Sequence, residues 1–78
     1  MEFRTLDVVV LGRDLPTHGL RKGDLGAVVH VYAPDGLEVE FVTAAGKTKA
    51  VVTLSKTDVR EARDTDLISV RSMEAPAS

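Results

Sequence analysis

Cysteine is absent from this chain. That excludes disulfides and thiolate metal sites, and it points to a reducing compartment, which we take as the cytoplasm. Tryptophan is absent too, and Phe3, Tyr32 and Phe41 are the only aromatic residues. Three rings are thin material for a surface on which bases stack. No apolar run approaches the roughly 20 residues that span a bilayer, so no membrane association is expected. The opening residues MEFRTLDVVVL place an acid at Glu2 and lack the basic start and cleavage site of a secretory signal. An excess of positive charge is also missing, since the net charge is −2. Nucleic-acid binders draw affinity from cations set against phosphates, so this balance disfavours nucleic acid as a partner.

What is present is β-forming. Valine, threonine and leucine dominate, and turn signals recur at short intervals, the pattern of an all-β sandwich or small barrel. The chain is long enough for a single domain, read as residues 1–73 with 74–78, EAPAS, as a frayed tail. Strand one is LDVVVL, Leu6–Leu11. A polar loop with Pro16 and several glycines follows, and strand two is AVVHVY, Ala27–Tyr32. The tetrapeptide APDG then predicts a type I turn with a glycine bulge, the loop being Pro34–Gly36. That loop sets Ala33 opposite Leu37, Val31 opposite Val39 and Val29 opposite Phe41 on an inner face. It sets Tyr32 opposite Glu38 and His30 opposite Glu40 on an outer one. Strand three, Leu37–Val42, alternates cleanly. A turn at Ala45–Gly46 then sets Phe41 against Ala50, Val39 against Val52 and Leu37 against Leu54, on strand four, Thr48–Leu54. Ser55 and Thr57 ahead of Asp58 predict a 3-10 turn. Val59–Ala62 reads as a short closing strand, and Leu67–Met73 as either a further edge strand or a tail that docks a partner. The whole predicts a small SH3-like barrel of five to six antiparallel strands, with a long loop after strand one and a 3-10 turn after strand four.

The stretch GLRKGDLGAVVHVY, Gly19–Tyr32, carries glycines at 19, 23 and 26 before the strand. Gly23 and Gly26 are expected to supply a tight turn and a bulge where the backbone bends. Gly19, Lys22, Gly23, Gly26 and Val28 also resemble the KOW-type motif of some ribosomal and transcription proteins. From Leu6 to about Arg60 the chain is similar to a family of short bacterial and archaeal proteins of unknown function. Their pattern runs DVV-L--DLP--GL--GD-GTVV-VY, then EVEF; Ala27 stands here where threonine is usual. The resemblance implies an SH3-like fold, no known catalysis, and genes often lying beside other small uncharacterised genes, some of them toxin-like.

Catalytic constellations are not apparent. His18 and His30 lack zinc-ligand spacing, and Asp7, Asp14, Asp24 and Asp35 are spread over separate turns. The serines lack a G-x-S-x-G context, and GLRKGDLG is not in the Walker order. No catalytic, cofactor-binding or metal-binding residue is therefore expected, and no enzyme. The expected function is a non-catalytic binding or adaptor module that contacts another protein. Its candidate residues are Arg13, His18, Arg21, Lys22 and Tyr32, with the outer acids Glu38 and Glu40. Tyr32, Val28, Val42 and Val51 are expected to form an outer apolar patch, covered either by the N-terminal residues and the LISVR segment, the reading preferred, or by a partner. One alternative is a KOW-like nucleic-acid or ribosome-associated module using Arg13, Arg21 and Lys22 on phosphates. Another is an antitoxin or immunity partner that turns Glu38 and Glu40 toward a basic toxin. Self-pairing into a homodimer through edge strands is a further possibility.

Overall fold

The structure, a computed structural model, describes residues 2–72. The strands are β1 Val8–Leu11, β2 Leu25–Tyr32, β3 Gly36–Val42, β4 Thr48–Ser55 and β5 Val59–Glu61. Two 3-10 turns, η1 Pro16–His18 and η2 Lys56–Asp58, complete the regular elements. The all-β expectation holds, with five antiparallel strands in one sheet in the order β4-β3-β2-β1-β5. The sheet does not close into a barrel: β4 and β5 are its two edges, and η2 joins them. Residues 67–72 form no sixth strand, and Met73 with the tail 74–78 lies outside the described residues.

The β3–β4 register follows the alternation. Leu37 faces Leu54, Val39 faces Val52 and Phe41 faces Ala50, as expected. Gly46 supplies the left-handed residue of the connecting turn, at φ 83°, and its N–H donates to the Thr43 carbonyl.

The β2–β3 register is different. The loop is Ala33–Asp35, one residue earlier than expected, so Tyr32 faces Gly36 and Val31 faces Leu37 rather than Val39. Gly36 opens β3 and has no left-handed φ, so there is no glycine bulge in this turn; the Ala33–Pro34 peptide is cis. A bulge at Val29 then reverses the alternation. Val28, expected outside, is fully buried, and Val29, expected inside, is exposed. The earlier turn sets His30 opposite Glu38, and beyond the bulge Glu40 faces Ala27 instead of His30.

Strand one begins two residues late because Leu6 turns left-handed, at φ 77°. The Asp7 carboxylate accepts from the Arg4 N–H at 2.8 Å, and the Asp7 N–H donates to the Arg4 carbonyl. This turn brings Phe3 into the core.

The core is the inner face: Val9, Leu11, Val28, Leu37, Val39, Phe41, Val52, Leu54 and Val59. Three side chains from outside the sheet complete it, namely Phe3, Leu15 and Leu20. The long loop is therefore not merely a solvated connection. Leu15 and Leu20 exchange backbone hydrogen bonds at 2.9 and 3.1 Å, and Gly19, left-handed at φ 68°, closes η1 between them. That small loop-back turns both leucines onto the sheet. Gly26 is not a bulge residue. A Cβ there would lie 2.5 Å from Val39 Cγ1, 2.9 Å from Phe41 Cε1 and 3.1 Å from the Glu40 carbonyl oxygen. It allows β2 and the β3 side chains to approach closely.

Two stability outcomes follow from this packing. Leu20→Ala removes a buried side chain and should cost about 2–5 kcal/mol in urea unfolding, as a sheet-core leucine would. Gly26→Ala forces the two core side chains aside and should cost about 1–3 kcal/mol. A loss below about 0.5 kcal/mol in either, the range of a neutral surface change, would refute the packing described.

Candidate functional site

The expected site residues fall into two groups. Arg13 and the residues after it lie on the long loop. Its Nε donates to Asp58 Oδ1 at 2.8 Å. The same Asp58 carboxylate accepts from the Ser55 N–H at 2.9 Å and closes a capping box on η2. Gly12 N–H reaches the Asp58 carbonyl at 2.7 Å, and Lys56 N–H reaches the Asp35 carbonyl at 2.8 Å. The start of the loop, η2 and the β2–β3 turn thus meet at one end of the sheet. His18 closes η1 and is exposed. The Lys22 N–H donates to Asp14 Oδ1, and the Arg21 N–H to Asp24 Oδ2, each at 2.8 Å.

Tyr32, Glu38 and His30 form the second group, on the outer face. The Tyr32 hydroxyl donates to Glu38 Oε2 at 3.2 Å, and its ring meets that of His30 edge-on at 4.4 Å. That hydrogen bond to a carboxylate pushes the phenol above its ordinary pKa. Glu40 accepts from Thr48 Oγ1 at 2.6 Å. Tyr32 makes its contacts with this group and not with the basic loop, so the surface once expected to combine them is split. Val42 and Val51 are exposed, as expected, but they lie at the far end of β3 from Tyr32, which pairs with Gly36, and Val28 is buried, so the four residues do not form one patch.

A third feature was not read from the sequence as a site. A cleft of about 560 Å³ opens beside the far end of β3. Leu20, Leu25, Phe41 and Val42 are on one side of it and residues 67–72 on the other. This segment is a strap slung between two arginine–aspartate clasps. At its start, Arg60 grips Asp66 with both terminal nitrogens, at 2.9 and 2.7 Å, and Asp66 also accepts from the Arg63 N–H. These bonds hold Asp66 far below the usual carboxylate range. At its end, Arg71 donates from Nε to Asp24 Oδ1 at 3.0 Å, from Nη2 to Asp24 Oδ2, and from Nη2 to the Gly19 carbonyl at 3.1 Å. Between the clasps Leu67, Ile68 and Val70 are 95%, 78% and 90% exposed. The sequence signal was the apolar run LISV closed by Arg71; its partner Asp24 is too distant in the chain to be paired by eye.

Arg13, Arg60 and Arg71 are each neutralised locally by an aspartate. Partial burial opposes ionisation of Asp24, but hydrogen bonds from Arg71 and from the Arg21 N–H, with both positive charges, outweigh it and lower its pKa. The Arg13 hydrogen bond likewise lowers Asp58 against its own partial burial. Among the described residues, no cluster of three His, Cys, Asp or Glu side chains could hold a metal ion. No helix there is long and apolar enough to cross a membrane.

The architecture is thus a single five-stranded all-β module whose long loop packs into its own core and whose C-terminal strap borders an apolar cleft. Residues 5–61 match the family described as domain of unknown function (DUF4926), and the chain belongs to that family. The strap lies beyond the matched residues. No curated protein and no solved structure matches the chain.

Two outcomes test these contacts. Asp24 and Asp58 have lowered folded-state pKa values, so their stabilisation is present above the unfolded carboxylate range, about pH 4, and is lost as pH falls through the folded values. The urea midpoint should therefore hold from pH 7 to about 5 and drop below about 4, less steeply in Asp58→Asn. A midpoint that rises on acidification would contradict the assignment. Separately, Arg71→Ala should speed proteolytic cutting between residues 62 and 72 while shifting overall stability by about 0.5 kcal/mol or less, as for a surface change.

Proposed function

We propose that the protein is a small, non-catalytic binding module of SH3-like type that works by contact with another protein in the cytoplasm. The observation that carries this reading is the strap. Three large apolar side chains in a row of four residues stand almost fully in water beside an apolar cleft. Exposed apolar surface of this kind, bordered by charged clasps, suits a protein–protein contact. The order of strand, long loop, three-stranded meander, 3-10 turn and short strand supports the SH3-like assignment. The lack of cysteine supports the compartment.

The rival readings have less behind them. For a KOW-like module Arg13, Arg21 and Lys22 should act together on phosphates, yet the Arg13 guanidinium is paired with Asp58, and the net charge of −2 works against binding to phosphates. For an antitoxin-like partner the acids Glu38 and Glu40 should face outward unengaged, yet each already accepts a hydroxyl.

The test is capture from the source lysate with wild type and with Ile68→Asp/Val70→Asp, in low and high salt, with and without nuclease. The proposal expects a discrete protein held by wild type through salt and nuclease and lost with the double substitution. Capture that the substitution leaves unchanged would overturn the strap as the contact. Capture abolished by nuclease or modest salt would replace the proposal with the nucleic-acid reading.

A further inference from the structure

The two edges of the sheet are built differently. β5 has three residues and leads at once into the Arg60–Asp66 clasp. An edge so short offers a passing strand little to pair with. β4 is eight residues long, TKAVVTLS, with one charge at Lys49 and no proline. No strand of the described residues lies on its outer side. Lys49 sits where the register to β3 shifts, between Ala50 and Thr48, so the start of the edge is protected by a charge and an irregularity, while Ala50–Ser55 runs regular and uncharged, the kind of edge that proteins ordinarily avoid leaving bare.

The backbone contacts show which groups that edge offers. The Ser55 N–H turns away from β3 to the Asp58 carboxylate, and the Lys56 N–H turns back to the Asp35 carbonyl of the β2–β3 turn. Polar groups of successive strand residues point to opposite sides. Leu54, Val52 and Ala50 therefore direct theirs at β3, and Thr53 and Val51 direct theirs outward. Both outward residues have exposed side chains, and Val51 is 48% exposed.

We propose that β4 pairs antiparallel with β4 of a second copy, about a two-fold axis through Val52. In this register the open groups of Val51 meet those of Thr53 of the second copy, and the symmetry repeats the pair. Two β-branched side chains sit together on the outer face each time. On the inner face Val52 meets Val52, and Ala50 meets Leu54. Lys49 meets Ser55, so the single cation of each edge never faces its own copy. A register displaced by one residue would set the inner apolar row of one copy against the outer row of the other. The edge is thus complementary to itself in hydrogen bonding, in shape and in charge. An isologous contact of this kind closes as a dimer and does not propagate.

Sedimentation velocity over a concentration series is the first measurement, on the full chain. Two variants break the edge by different means. Thr53→Pro removes an outward N–H and leaves the ladder to β3 intact. Val51→Lys sets added charge near the axis. Circular dichroism confirms that each still folds. Because the chain has no cysteine, introduced thiols report alone. A mixture of Val51→Cys with Thr53→Cys should form an intermolecular disulfide under mild oxidation faster than either variant by itself. The proposal expects a reversible wild-type dimer, its loss in whichever variants fold, and the faster mixed disulfide. A wild type that stays monomeric at the highest soluble concentration would overturn it. So would a dimer that survives both substitutions, or equal disulfide rates in mixed and single-variant samples. Ile68→Asp/Val70→Asp should leave the dimer unchanged, which separates this surface from the strap.

Discussion

This sheet of five strands does not close, and its one apolar face has, among the described residues, no second sheet to cover it. In a chain this short, roughly 60–65% of the unfolded surface can be buried, so that face has to be roofed from the connections. The roof is made of Leu15 and Leu20 from the long loop and Phe3 from the N-terminal turn. Much of the local geometry is arranged for this. Gly19 takes a left-handed conformation so that two leucines five residues apart point the same way. Leu6 takes one as well, although it is not glycine, and so swings Phe3 inward. At Gly26 the absence of a side chain lets β2 lie against Val39 and Phe41. The loop, which resembles an interaction surface by its composition, is first of all a piece of the core.

The parts of the fold that sequence reasoning recovers are those with strict alternation. Leu37, Val39 and Phe41 alternate with Glu38 and Glu40, so only one register buries them, and their expected partners Leu54, Val52 and Ala50 are the observed ones, the register shifting only beyond Phe41. Ser55 and Asp58 likewise mark the capped 3-10 turn by their spacing. In β2 the run AVVHV is apolar at both parities. A bulge at Val29 exchanges one valine for another with no cost in pattern, and nothing in the letters reveals it. Leu15 and Leu20 were hidden for another reason. They sit among Pro16, glycines and charges with neither a two- nor a 3.6-residue period, and only their mutual bridge makes sense of them.

The site was less legible than the fold, because its contacts are long-range and polar. Arg13 was read as a free cation for a partner, but it is spent on Asp58, forty-five residues away. Asp24 was read as a turn residue, and it is that, yet it also anchors Arg71. Energetics gives these clasps their meaning. Ion pairs with this much exposure contribute on the order of 0–1 kcal/mol each, far less than one buried leucine. The sheet is therefore held by its core, while the strap is held by contacts that thermal motion and competing partners readily exchange. Weak tethering of an apolar segment is suited to a surface that must be presented without collapsing onto its own cleft.

The three-residue turn η2 has a mechanical role beyond its hydrogen bonds. It joins Ser55 at the end of one sheet edge to Val59 at the start of the other, and four residue steps reach at most about 14 Å. Asp58 rivets this short link to Gly12 and Arg13. The two edges behave like the ribs of a fan fastened at the pivot. Their separation is fixed there and least constrained at the opposite end, eight residues of β4 away. The cleft lies at that opposite end. Its walls are the start of β2, the end of β3 and residues 67–72, none of which the hydrogen bonds of the pivot reach, so a substitution at the cleft leaves the fastening of the two edges untouched.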